Sequence, residues 1–171
     1  GEVMNHMERK PRLAVTMGDP AGVGPEIAVK AMLDNEQRAL YTPLLIGSLA
    51  VFQEASELLD APLELRRIED AGKLEAMPEY AVGVMEPDAI SGRSFARREV
   101  RADCGEAAFQ SIKTAIELTM SGQADAVVTN PIHKKALNLA GYPWAGHTEL
   151  FRESTGAERS ASVVADEPTR A

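Results

Sequence analysis

Three short segments concentrate the residue types that can hold an anion or move a proton. Gly146-His147-Thr148-Glu149 places a glycine, an imidazole and a hydroxyl where a helix can start. Thr148 Oγ1 and the free N–H groups of a first helical turn can together hold a phosphate. His147 can donate to a ligand oxygen, bind a metal or move a proton near neutral pH. Thr129-Asn130-Pro131-Ile132-His133-Lys134-Lys135 follows a buried apolar run. There Lys134 can pair with a phosphate or carboxylate, and Asn130 serves equally well as a helix N-cap. The run from Gly18 to Glu26 is dense in glycine and proline, with Asp19 as the ionisable side chain inside the turn. Each segment also has an ordinary structural role: a capped helix with a surface histidine, a solvated first turn, and a tight turn needing unusual backbone angles.

Several chemistries lack their residues. Gly22-Val23-Gly24 resembles part of a dinucleotide fingerprint, but Ile27 stands where the third glycine belongs. The acidic residue expected about 20 positions further on for ribose binding is missing from Leu40 to Leu45. No Gly-Lys-Ser/Thr follows the turn, and no Gly-x-Ser-x-Gly elbow occurs, so neither a phosphate-binding Walker loop nor a serine hydrolase is supported. His133 and His147 fall on different elements without an evident third ligand, so no metal site is assigned within the chain. The single cysteine, Cys104, excludes an internal disulfide and a Cys-rich zinc site, and fits a reduced, cytoplasmic setting.

The elements that must position these segments alternate between strand and helix. Apolar runs predict strands at Arg12–Met17, Leu44–Gly47, Leu63–Ile68, Tyr80–Met85, Ala124–Thr129 and Ser160–Ala165. Helices are expected at Pro25–Leu33, with proline in the first turn and Glu26 at the positive end of the dipole, and at Ser48–Leu59. Asp103–Ser121 is the strongest helical pattern. Asp103 and Glu106 make a capping-box-like start, the stripe Ala108, Ile112, Ala115, Ile116 and Thr119 lies on one face, and Gly122 ends it. Further helices are expected from the Asn130-Pro131 cap to Leu139, and from Thr148 to Ser154. Pro87–Arg101 reads as a connecting loop. This alternation predicts a layered α/β fold with a mainly parallel sheet.

Length and charge fit that picture. The 171 residues include 18 basic and 26 acidic side chains, a formal net charge of −8. Nucleic-acid binding, which needs basic charge against phosphates, is disfavoured. No stretch of about 18 apolar residues offers a membrane-spanning helix. Residues 1–11 read as a tag or disordered leader.

Taken in order, Val-Thr-Met-Gly-Asp-Pro-Ala-Gly-Val-Gly-Pro-Glu (Val15–Glu26), Asp-Ala-Val-Val-Thr-Asn-Pro-Ile-His-Lys (Asp125–Lys134) and Ala-Gly-Tyr-Pro-Trp-Ala-Gly-His-Thr-Glu (Ala140–Glu149) resemble the 4-hydroxythreonine-4-phosphate dehydrogenases of pyridoxal phosphate biosynthesis and their close relatives. The resemblance runs from about Arg12 to Ala165. It implies a three-layer α/β/α fold like isocitrate and isopropylmalate dehydrogenases, with only the N-terminal half present. Residues 12–129 would be the N-terminal portion of a first domain, and 130–171 the start of a second. It further implies a homodimer using NAD or NADP and a divalent metal (Zn, Mg or Co), whose ligands would lie beyond residue 171. The implied reaction oxidises the secondary alcohol of 4-phosphohydroxythreonine, and the resulting β-keto acid loses CO2. Substrate contact is carried over to His147 and Thr148; no catalytic acid, base or metal ligand is.

Relatives with similar motifs oxidise D-threonate or D-erythronate 4-phosphates, or a cis-dihydrodiol dicarboxylate, and these motifs do not separate them. Two readings of other kinds compete: a non-catalytic, half-length module that binds a phosphorylated hydroxy acid, and a domain binding NAD through the Gly22-Val23-Gly24 turn.

Overall fold

The computed structural model describes residues 9–60, 63–143, 152 and 163–164. Six strands form one sheet: β1 (Arg12–Thr16), β2 (Thr42–Ile46), β3 (Glu64–Arg67), β4 (Ala81–Met85), β5 (Ala126–Thr129) and β6 (Val163–Val164). Their spatial order is β3-β4-β2-β1-β5-β6, and every pairing is parallel. Leu44, Leu45 and Ile46 are fully buried in a row, as a parallel strand covered on both faces requires. Edge strand β3 is largely exposed and charged, which guards its unpaired side.

Parallel neighbours need crossovers, and right-handed crossovers assign each helix to a face. Helices α1 (Gly24–Ala31) and α3 (Leu49–Leu58) cover one side; the short α2 (Asn35–Arg38), with no buried residue, leads from α1 toward β2. On that side Val29, Met32, Phe52 and Ala55 pack with Val15, Met17, Leu45 and Val84. Helix α4 (Ala102–Met120) covers the other side, where Ala115 and Leu118 meet Ala14, Leu44 and Ile46. Helix α5 (Lys134–Leu139) lies against α4. The result is the expected three-layer α/β/α sandwich. The predicted strands from Arg12 to Thr129 all form, with ends shifted by one or two residues, and Val163–Val164 pair with β5 inside the predicted Ser160–Ala165 strand.

Two predicted caps do not form. Helix α4 starts at Ala102, so Asp103 lies inside its first turn. The Asp103 carboxylate accepts from Cys104 N at 3.0 Å and from Arg101 Nε at 3.0 Å, and Glu106 accepts from Gln110 Nε2. Asn130 does not cap α5, which begins four residues later behind His133. Its side chain is turned toward β1, where Nδ2 donates to Thr16 O. Within α4, Cys104 is fully buried, and burial, reinforced by the Asp19 and Asp103 carboxylates, pushes its thiol up to about 12.

Gly105 fixes the approach of α5 to α4. A Cβ there would run into the Ala136 carbonyl oxygen. Gly105→Ala removes a helix-interior glycine, worth about 0.5–1 kcal/mol in isolation, but overpacks a backbone contact at a cost of about 1–3 kcal/mol. A net loss of stability is expected in chemical denaturation; a stabilised variant would show that this contact is loose.

Candidate functional site

The strand order reverses direction at β1. From β1 the chain moves through α1 on one face to β2; from β5 it moves through α5 on the other face to β6. The turns leaving β1 and β5 therefore diverge, and the crevice between them is where open α/β sheets bind ligands. Two of the three chemistry-bearing segments, Gly18–Glu26 and Thr129–Lys135, meet there. The third, with His147 and Thr148, lies outside the described residues; of the helix expected from Thr148 to Ser154 only Arg152 is described, and it is helical.

Backbone contacts clasp the two turns. Asp19 N–H donates to the Pro131 carbonyl at 3.0 Å. Gly18 has φ +72°, and a Cβ there would collide with the same carbonyl. Only glycine tolerates both conditions. Asn130 turns inward: its Nδ2 donates to Thr16 O at 2.8 Å, and its N–H to Thr16 Oγ1 at 3.3 Å. Turned inward in this way, Asn130 Oδ1 accepts from no N–H of α5, and residues 130–133 are non-helical. Thr129 Oγ1 and Asn130 Oδ1 are buried without a hydrogen-bond partner among the described residues.

The glycines of the partial fingerprint have packing duties too. A Cβ at Gly24 would strike the Met17 carbonyl, so this glycine lets α1 start directly against β1. A Cβ at Gly22 would meet Asp19 at ordinary van der Waals distance. The turn is thus built for strand–helix closeness and does not reproduce a dinucleotide cradle.

Beside the clasp lies a cavity of about 380 Å³, lined by Asp19, Val23, Arg98, Glu99, Ile132 and His133 among others. Asp19 is 5% exposed and its Oδ1 accepts from Ala21 N at 2.8 Å. Burial raises its carboxyl above the usual range; the Ala21 N–H and His133 oppose the rise, and Asp103 adds to it. Arg98 comes from the 91–101 segment, read from sequence as a plain connection. Arg98 N–H donates to Ala21 O at 2.9 Å, and the neighbouring Arg97 bridges Glu26 (2.6 Å) and Glu54 (3.2 Å). The segment is thereby strapped over the start of α1. The signal that pointed to it was present: Arg93, Arg97, Arg98 and Arg101 cluster just before α4. Lys134 is exposed on the first turn of α5. Among the described residues no three His, Cys, Asp or Glu side chains converge to hold a metal ion.

The raised Asp19 carboxyl has a pH consequence. The folded form takes up a proton at higher pH than the unfolded chain does, so ionised Asp19 costs stability near neutral pH and the cost vanishes in acid. Asp19→Asn keeps an oxygen for Ala21 N–H and removes the charge. Its melting temperature at pH 7 should equal or exceed that of the parent, with the difference shrinking toward the usual carboxylate value of about 3.9. A loss at pH 7 that persists in acid would assign Asp19 a favourable charge instead.

The family described as pyridoxal phosphate biosynthetic protein PdxA matches residues 39–170. A D-threonate 4-phosphate dehydrogenase of Salmonella typhimurium is 38% identical over 160 residues, covering 92% of this chain and 48% of that protein. A 4-hydroxythreonine-4-phosphate dehydrogenase of Trichlorobacter lovleyi is 32% identical, covering 94% and 48%. The crystal structure of a 4-hydroxythreonine-4-phosphate dehydrogenase from Burkholderia phymatum superposes with a TM-score of 0.80 at 34% identity, covering 88% of this chain and 45% of that one. The chain spans about half the length of the curated relatives it matches, with 48% of each of the two named here covered. With the family match extending over most of its residues, the chain belongs to the PdxA family.

Proposed function

We propose that the protein to which this chain belongs is a nicotinamide-dependent dehydrogenase that oxidises the secondary alcohol of a phosphorylated hydroxy acid. The observation that carries this reading is the clasp at the β1/β5 switch point. Two motifs more than a hundred residues apart are locked together there by Asp19–Pro131 and Asn130–Thr16, at the sheet edge where ligands bind. On this reading 4-phosphohydroxythreonine is oxidised and then decarboxylated. A second substrate, D-threonate 4-phosphate, is favoured by the name of the 38%-identical relative. Both offer a secondary alcohol and an anionic end, and the described turns make no distinction between them.

In this scheme His147 and Thr148 grip the acidic end of the substrate, through imidazole N–H, hydroxyl and the N–H groups of a helix start. The nicotinamide, NAD or NADP, supplies hydride acceptance. Ile27 stands in place of the third fingerprint glycine, so on this reading the Gly18–Glu26 turn is not the main seat of the dinucleotide. The divalent metal expected from the resemblance has no ligand cluster among the described residues, and no step is assigned to it. A cytoplasmic homodimer completes the proposal.

The test offers the full-length protein 4-phosphohydroxythreonine, D-threonate 4-phosphate and the cis-dihydrodiol dicarboxylate, each with NAD or NADP and a divalent metal, and follows reduced nicotinamide. Turnover of one phosphorylated hydroxy acid is expected; silence with all three overturns the reading. Thr148→Val should raise the KM of the accepted substrate by the equivalent of about 1.5–3 kcal/mol, the worth of a hydrogen bond to a charged oxygen. His147→Ala should impair the same substrate. Unchanged kinetics would remove the residue concerned from the site.

A further inference from the structure

We infer that Arg98 and His133 form an anion-binding subsite at the mouth of the cavity beside the Gly18 turn, taking a phosphate or carboxylate group. The inference begins with an arginine held in a costly conformation. Arg98 has φ +58°, a left-handed backbone that side chains other than glycine, asparagine and aspartate seldom adopt. Such strain persists only where the surroundings enforce it, and it clusters at functional sites. Here the surroundings do enforce it. Arg98 N–H is tied to Ala21 O, and Arg97 is anchored on Glu26 and Glu54 on α1 and α3.

The side chain so positioned is uncommitted. Arg97 and Arg101 in the same segment pair with carboxylates, Arg101 with Glu99 and Asp103. Arg98 has no ion-pair or side-chain hydrogen-bond partner among the described residues, although it lines a cavity of about 380 Å³. His133 lines the same cavity, and it neither caps α5 through its side chain nor forms an ion pair among the described residues. The acidic groups nearby are already engaged. Asp19 accepts from Ala21 N–H, and Glu99 faces Arg101. Arg98 and His133 are exposed, so both are open to a ligand from solvent, and Val23, Val100 and Ile132 complete the lining. A guanidinium fork and an imidazole N–H on one cavity suit an anion with several oxygens.

Two sources present such a group, the hydroxy acid and the dinucleotide. Naming them rests on the dehydrogenase reading; the site itself does not. In the full-length protein, Arg98→Gln and His133→Gln should each raise the KM of one of these ligands roughly tenfold, the effect of a lost charged hydrogen bond. The double variant should lose less than the product of the two single losses, because both groups meet the same anion. Arg98→Lys should recover part of the affinity. Arg98→Gly, which relieves the backbone, should bind as poorly as Arg98→Gln while its melting temperature stays at or above the parent's. Whichever KM moves identifies the source of the anion. Should none of the substrates turn over, titration with inorganic phosphate decides: weaker binding to Arg98→Gln than to the parent supports the subsite, and equal binding overturns it. The inference also fails if both KM values stay within about twofold of the parent in Arg98→Gln, or if Arg98→Gly restores what Arg98→Gln loses.

Discussion

The contact between Gly18 and Pro131 is the constraint on which the rest of this chain depends. An all-parallel sheet whose order reverses at β1 must send two neighbouring turns to opposite faces, and doing so opens a gap at the strand ends. Here the gap is narrowed until one backbone carbonyl occupies the space a side chain would need at residue 18. The Asp19 N–H then satisfies that carbonyl, and Asn130 ties the end of β5 to the end of β1. A few buried hydrogen bonds therefore set the spacing of α1, which leaves one turn, and α5, which follows the other. Leaving any of these donors or acceptors unpaired would cost about 1–3 kcal/mol.

The clasp also explains the electrostatics around it. Tight packing of the Gly18 turn removes Asp19 from water, which raises its carboxyl, and the buried Cys104 thiol is raised by its own burial first, with the Asp19 and Asp103 charges adding to it. The chain places positive groups close by without neutralising that carboxylate directly. Arg97 goes to Glu26 and Glu54, Arg101 to Asp103 and Glu99, and Arg98 remains on the rim. Exposed ion pairs of this kind are worth little singly. Their effect here is geometric: they hold the 91–101 segment against α1 and so determine where Arg98 stands.

Much of this was legible in the residues themselves. Apolar runs such as Leu44–Ile46 and Val127–Thr129 marked strands, and the Ala108–Ile116 stripe marked α4, because burial periodicity is local information. The proline-first α1 and the Ser48 cap were legible for the same reason, and Ser48 Oγ does accept from Val51 N at 3.2 Å. The misreadings share one cause. Asn130-Pro131 has the local form of a cap, but the Asn130 partner is Thr16, 114 positions away. Asp103 and Glu106 have the spacing of a capping box, but Arg101 and Gln110 compete for their carboxylates. The arginine cluster from Arg93 to Arg101 is visible in the residues, but nothing local shows that the Arg98 backbone is left-handed or that its segment lines a cavity. Helix caps and loop arginines are decided by long-range partners, which periodicity cannot see.

The division of labour among the glycines follows from the same geometry. A glycine-rich turn between a strand and a helix invites the view that its N–H groups hold a phosphate. Yet Gly18 is needed to admit the Pro131 carbonyl, and Gly24 to admit the Met17 carbonyl. Asp19 N–H and Gly22 N–H are both consumed within the clasp. With those two donors engaged inside the fold, recognition of an anion at these strand ends draws on the side chains around the turn, and Arg98, without an ion-pair partner among the described residues, lines the cavity beside it.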